Sequence, residues 1–215
     1  YMIEKLKLVP HSLAMKNIHF PKSQKELDLA RFRLKFEELF FLQLRLLRIK
    51  GRRKEEVGGF VFKVVGDYFH QFFNEKLPFE LTGAQKRVIK EIRKDMGAGI
   101  QMNRLLQGDV GSGKTIVGLM CMLIALDNGY QACMMAPTAI LAQQHYASIQ
   151  EYVEGLDITV GFLAGSVKGK KRKALLERLA SGEIDILIGT HKLAGKSVKF
   201  KDLGLLIVDE EQKFG

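Results

Sequence analysis

The chain has 215 residues, 47% of them hydrophobic, and a net charge of +10. That is enough to bury a core and fill one or two domains, and the cationic excess points to a polyanion such as nucleic acid or else to a solvated basic surface. It excludes a metal-stapled or disulfide-framed fold, because the two cysteines, Cys121 and Cys133, lie in apolar runs and the five histidines are scattered.

Ser23-Gln24-Lys25-Glu26 reads as a capping box after Pro21, opening a helix to about Lys50. Its apolar positions, Leu34 through Ile49, are so dense that the helix is expected to be sandwiched between neighbours. Gly51-Arg52-Arg53-Lys54 is expected to end it, with cations either favouring the C-terminal pole or contacting nucleic acid. Phe60 to Phe73 is apolar and aromatic, and fits helix or strand equally.

From Leu81 onward, helices alternate with short apolar strands, the pattern of a parallel sheet with helices on both faces. Helices are expected over Thr82–Met96, Gly113–Asp127, Thr138–Val153 and Lys170–Ala180. Strands are expected at Arg104–Gln107, Ala132–Ala136, Ile158–Leu163, Ile184–Ile188 and Leu205–Val208. No run approaches the roughly 18 consecutive apolar residues of a membrane span, and Tyr1 to Pro10 lacks the small-residue cleavage site of a signal peptide. With two cysteines placed as core residues, the chain reads as cytoplasmic.

Gly108-Asp109-Val110-Gly111-Ser112-Gly113-Lys114-Thr115 matches the phosphate-loop pattern G-x-x-x-x-G-K-[ST] and lies between an expected strand and a helix. Glycines let the backbone wrap the phosphates, Lys114 reaches the β/γ-phosphates and Thr115 offers a hydroxyl to Mg²⁺. Leu205 to Val208 is a buried strand that delivers Asp209 and Glu210 at its C-terminal end, where open α/β sheets bind ligands. Asp209 is expected to hold Mg²⁺ through water, and Glu210 to orient or deprotonate the attacking water.

Three small polar turns each follow an expected strand: Pro137-Thr138 with Gln143 on the helix beyond it, Gly165-Ser166, and Gly189-Thr190-His191. Each is a helix cap by itself, and together they would line a nucleic-acid backbone. Lys168, Lys170, Lys171, Arg172 and Lys173 crowd a helix N-terminus, where cations oppose the dipole unless an anionic partner or water offsets them. Thr82 with Gln85 fits a capping box, in which Gln85 satisfies backbone donors. The other reading has Gln85 read an adenine edge with Phe79 stacked nearby, but spacing alone favours the cap.

These residues together resemble the RecG family of superfamily 2 DNA helicases, which remodel branched DNA. Ile18-His19-Phe20-Pro21 and Arg31 to Leu39 look like that family's segment between its wedge domain and its motor. Pro78-Phe79-Glu80-Leu81-Thr82 with Gln85 looks like its adenine-side motif. Ala136-Pro137-Thr138 with Gln143 and His145, Leu163-Ala164-Gly165-Ser166 and Gly189-Thr190-His191 look like its DNA-contact motifs. Asp209-Glu210-Glu211-Gln212 departs from the family's usual Asp-Glu-Gln-His and is closer to the transcription-repair coupling translocases, whose motor is related.

The resemblance implies a P-loop, RecA-like three-layer sandwich over residues 81–215, the first lobe of an ATP-dependent DNA translocase, with residues 1–80 a helical segment packed beside it. It implies partners in branched duplex DNA, a wedge domain and a second motor lobe of the same polypeptide, and no membrane. Both ends read as cut, since the chain opens on Tyr1 and stops soon after the acidic motif. A sheet lacking its next strand is expected to leave a gap between the phosphate-loop strand and the acidic strand, so weak nucleotide binding and no unwinding are expected. A basic, non-enzymatic module with an empty phosphate loop is the alternative from another class.

Overall fold

Ser23 caps the long helix, its Oγ accepting from the Glu26 amide at 3.3 Å, while the Glu26 carboxylate reaches one residue past the capping-box partner and accepts from the Lys22 amide at 3.1 Å. The computed structural model describes residues 2–56 and 58–214, without the side chains at 2, 3, 50 and 53–56. Two units form, Tyr1–Gly58 and Gly59–Gly215.

The first unit contains α1 (Met2–Lys5), α2 (His11–His19) and α3 (Gln24–Glu56). Ala14 and Asn17 of α2 and Ala30 of α3 are buried where the two helices pack. Glu37 ties them, accepting from His11 Nδ1 at 3.0 Å and pairing with Arg33 at 3.2 Å.

Two expectations for this unit are corrected. The helix does not stop at Gly51 but runs to Glu56, since one interior glycine costs only about 1 kcal/mol and the residues after it are good helix formers. Arg53 and Lys54, two of the three cations in the basic run, have side chains outside the described residues. Nor is α3 sandwiched along its length, for Phe41, Leu42, Leu44, Leu46, Leu47 and Ile49 are exposed. The reason is reach: α2 has 9 residues against 33 in α3, about 14 Å of helix against about 50 Å.

The second unit begins with the stretch that fitted helix or strand. It has no helix or ladder over 59–66, then forms α4 (Asp67–Gln71), which widens into a π turn over Phe72–Lys76. Phe62 and Phe72 are buried in the main core. Two residues past the apolar part of α6 (Lys114–Asp127) pin this stretch. The Asp127 carboxylate accepts from the amides of Gly66 (2.8 Å), Tyr68 (3.0 Å) and Phe69 (3.3 Å). The Asn128 side chain both accepts from and donates to the Val64 backbone, at 3.0 and 2.8 Å, as a neighbouring strand would.

Four parallel strands, β1 (Gln131–Met135), β2 (Val160–Leu163), β3 (Ile186–Gly189) and β4 (Leu203–Val208), lie in the order β2-β3-β1-β4. Alternation sorts their side chains. Ala132, Met134, Ile186, Ile188 and Leu205 face a core shared with α5 (Gly83–Met96), α6 and α7 (Ala139–Tyr152), while Cys133, Leu163 and Leu187 face α8 (Gly169–Ser181) through Leu179. Helices therefore cover both faces, giving three layers. Residues Ile116 to Leu126 of α6 are all buried, as a helix apolar all round must be. Burial pushes the thiols of Cys121 and Cys133 up to about 12. No helix among the described residues is long and apolar enough to cross a membrane.

One expected strand is absent. Arg104–Gln107 forms no ladder, and Leu105 is 76% exposed. A strand needs a neighbour to satisfy its backbone, and among the described residues β4, the edge of the sheet, pairs only with β1.

Candidate nucleotide and nucleic-acid site

The phosphate loop leaves this unladdered segment and turns into α6 through two left-handed glycines, Gly111 and Gly113, both at φ 79°. Gly113 is required twice over. Its conformation disfavours any Cβ, and an added Cβ would collide with Gln85 Nε2. Within the loop, Ser112 N donates to Asp109 O at 3.2 Å, and Lys114 Nζ donates to the carbonyls of Gly108 and Asp109, both at 2.8 Å. Val110 at the tip is fully exposed, and Thr115 sits in the first turn of α6.

Gln85 does more than either sequence reading gave it. Its Oε1 accepts from Thr82 N at 2.8 Å and its backbone N donates to Thr82 Oγ1 at 3.2 Å, which completes the capping box of α5. Its Nε2 then donates to Ser112 O at 2.9 Å. The amide thus clamps the phosphate loop to α5, a contact invisible in spacing because 27 residues separate the partners. Phe79, the expected stacking ring, is exposed just before this cap.

Because every strand is parallel, all four C-terminal ends fall on one edge of the sheet. In spatial order that edge carries Gly165-Ser166 after β2, Thr190-His191 after β3, Pro137-Thr138 after β1 and Asp209-Glu210 after β4. Thr138 caps α7, its Oγ1 accepting from Leu141 N at 3.2 Å. Ser166, Thr138 and His191 are exposed, while Thr190 is buried. Gly189 passes so close to Leu163 O that a Cβ would collide there. Gln143 and Ser166 line an open groove of about 440 Å³ with Ile140 and Phe162. Lys192, which no motif marked, places its ammonium beside Gly165. In the basic run, Lys168, Lys170, Lys171 and Lys173 are exposed, and Arg172 donates to Ser197 Oγ at 2.8 Å.

The acidic pair is held differently at each member. Asp209 N continues the ladder to Met135 O at 2.8 Å, and its carboxylate Oδ2 accepts from His145 Nε2 at 2.7 Å. Glu210 adopts a left-handed turn, φ 52° and ψ 47°. It accepts from Gln212 Nε2 at 2.6 Å and pairs with Lys213 at 3.7 Å. The sequence reading put His145 with the DNA-contact motif and gave it no partner. Only the parallel β1–β4 pairing brings it to Asp209.

The donor set fits magnesium and a nucleotide. A hydroxyl and a carboxylate are the hard oxygens Mg²⁺ prefers, and the loop holds Gly108 and Gly113 where a Cβ would collide with Ser112 and Gln85.

The chain is 43% identical to ATP-dependent DNA helicase RecG of Synechocystis over 99% of its own length and 25% of that protein. It is 46% identical to RecG of Bacillus subtilis over 97% and 30%. A solved structure of RecG bound to a three-way DNA junction superposes with a TM-score of 0.87 at 44% identity, covering 97% of this chain and 28% of that one. A hypothetical ATP-dependent RNA helicase from Sulfolobus tokodaii shares the fold at a TM-score of 0.50 and 22% identity, over 67% of this chain and 41% of that one. The chain spans roughly a quarter to a third of its RecG relatives. Residues 82–215 match the DEAD/DEAH box helicase family, and the chain belongs to that family.

Proposed function

We propose that residues 81–215 form most of the first RecA-like lobe of an ATP-dependent DNA helicase that remodels branched DNA in the cytoplasm. Residues 1–80 would precede it as a helical segment, the last part of which, 59–80, packs into the lobe. The observation that carries this reading is one edge: the phosphate loop opens a helix packed on β1 and β4, and β4 ends in Asp209-Glu210 beside three polar turns.

In this reading Lys114 leaves the carbonyls of Gly108 and Asp109 for the β/γ-phosphates, and the loop amides hold the phosphate oxygens. Thr115 and Asp209 would hold magnesium, which neutralises charge developing on the β- and γ-oxygens. Glu210, freed from Gln212 and Lys213, orients the attacking water and takes its proton. Phe79 and Gln85 flank the adenine. Pro137, Thr138, Gln143, Gly165, Ser166, Thr190 and His191 face the DNA backbone, Thr190 through its main chain because its side chain is buried. The wedge domain and a second motor lobe would be partners in the same polypeptide, the latter supplying the arginine worth several orders of magnitude in rate. The names of the relatives favour this over a transcription-repair coupling translocase.

Thermal unfolding with Mg²⁺ and a non-hydrolysable ATP analogue tests the lobe assignment. A ligand at 100 times its Kd stabilises by about 2.7 kcal/mol, and Lys114→Ala is expected to abolish that gain. Indifference of both proteins to the nucleotide would support the empty-loop, non-enzymatic alternative. Robust DNA-stimulated turnover by the 215-residue protein would refute the expectation that this lobe alone binds nucleotide weakly and does not unwind DNA. For DNA, the log-log salt slope should rise by roughly 0.7 to 0.9 per phosphate contact, and a slope near zero removes the DNA assignment.

A further inference from the structure

Helix α7 carries two different surfaces. Ile140, Gln143, Gln144 and Ala147 line the open groove with Phe162 and Ser166. Another side of the same helix presents His145, with its side chain 15% exposed, to Asp209, 26% exposed. The 2.7 Å separation lies in the short range of charge-assisted hydrogen bonds, and an ionised carboxylate can only accept, so Nε2 carries the proton. No other side chain among the described residues donates to the Asp209 carboxylate. Oδ2 is therefore taken, and Oδ1 is the oxygen left to serve a ligand.

We propose that His145 is a positioning residue that couples the nucleic-acid groove to the magnesium-holding carboxylate. The inference rests on the magnesium role given to Asp209 above. His145 stands two turns beyond the Thr138 cap, roughly 10 Å along a rigid axis. A strand bound against the start of α7 and its groove face therefore acts on the same rigid body that fixes the orientation of Asp209. Neither site can move this helix without the other registering it, and by linkage the effect on binding is mutual. A half-buried histidine that merely satisfies the nearest acid would leave metal affinity independent of DNA.

The test is Mn²⁺ binding followed by electron paramagnetic resonance, with the protein saturated in a non-hydrolysable ATP analogue, with and without a synthetic three-way DNA junction. Wild type is expected to bind Mn²⁺ more tightly when the junction is present. His145→Ala is expected to weaken Mn²⁺ binding about tenfold, the lower end for loss of a partner behind a metal-holding group, and to erase the junction's effect. His145→Gln, whose amide reaches about as far as Nε2, should restore both, whereas His145→Asn should not. That pair keeps the test decisive if the alanine variant does not fold. Mn²⁺ affinity and junction effect unchanged, or affinity tightened, in His145→Ala would overturn the proposal, as would equal behaviour of the Gln and Asn variants. Asp209→Asn separates the two layers: if it loses Mn²⁺ while His145→Ala does not, only the coupling fails. If it binds Mn²⁺ like wild type, the magnesium assignment fails and the coupling with it.

Discussion

Asp127→Ala should loosen the segment that joins residues 59–80 to the lobe. One carboxylate serves three amides there, Oδ2 accepting from Gly66 and Phe69 and Oδ1 from Tyr68. A hydrogen bond to a charged group contributes about 1.5 to 3 kcal/mol, but water reaches this half-buried site once the carboxylate is gone, and losing an acidic helix cap costs about 0.5 to 2 kcal/mol. Between those bounds we expect a loss of about 3 kcal/mol, equivalent to a fall in Tm of roughly 6 to 12 °C for a domain of this size. Urea and thermal unfolding followed by circular dichroism measure the total. Hydrogen exchange localises it, because the amides of Gly66, Tyr68 and Phe69 should lose protection while β1 and β3 keep theirs under native conditions. Asp127→Asn keeps one oxygen but turns an amide group toward the donors, so it should recover no more than half. A change below about 0.5 kcal/mol, or protection lost evenly across the sheet, would refute the role assigned to Asp127.

Gly113→Ala should cost about 2 kcal/mol or more, from the left-handed backbone and the collision with Gln85, and should abolish stabilisation by nucleotide. Gly111→Ala, at the same φ but in open space, should cost about half as much, and equal losses in chemical denaturation would argue against the crowding. Burial, reinforced by Asp157, raises the Asp185 carboxyl above the ordinary aspartate range, against the opposing hydrogen bond from Thr159 N. The folded state then holds a proton that the unfolded state has released, so this group's contribution falls as pH rises from the ordinary range through the raised value and is flat above it. Asp185→Asn should flatten that slope in urea unfolding curves and be at least as stable at neutral pH, and an unchanged slope would count against it. Both thiols should resist iodoacetamide in the folded protein at mildly alkaline pH and react on unfolding, since burial raises each to about 12. Alkylation at the rate of a free thiol would contradict that.

The parts of the fold written in local pattern were legible in the sequence. The caps at Ser23, Thr82 and Thr138 and the four paired strands fall within a few residues of where periodicity puts them, because each depends on neighbours one or two turns away. The gathering of three polar turns and the acidic pair on one edge was legible too, since parallel strands must share their C-terminal ends. What was not legible is longer in range. Arg104–Gln107 is apolar enough for a strand, but pairing is a property of two segments. The course of 59–66 is pinned by Asp127 and Asn128, about sixty residues away, and those two residues read locally as nothing more than a helix stop. His145 carries no local mark of its attachment to Asp209, which follows only from the place of β4 beside β1.

The phosphate loop is therefore held from the side of α5 rather than from the sheet. Arg104 ties the approach to it, donating to Asp95 at 2.7 and 2.9 Å and to Glu91 at 2.8 Å, and Gln85 ties its far end through Ser112. Between these two clamps Leu106 packs against the core only in part, as does Met102 just before them, and Leu105 and Val110 face water. A loop fixed at two points by side chains, with no ladder beneath it, keeps more conformational freedom than one growing from a paired strand. Nucleotide must then supply the ordering as it binds, at a cost in affinity. Since both clamps belong to α5, and α5 starts at the cap that Gln85 completes, any group that engages Gln85 acts on the cap and the phosphate loop at once.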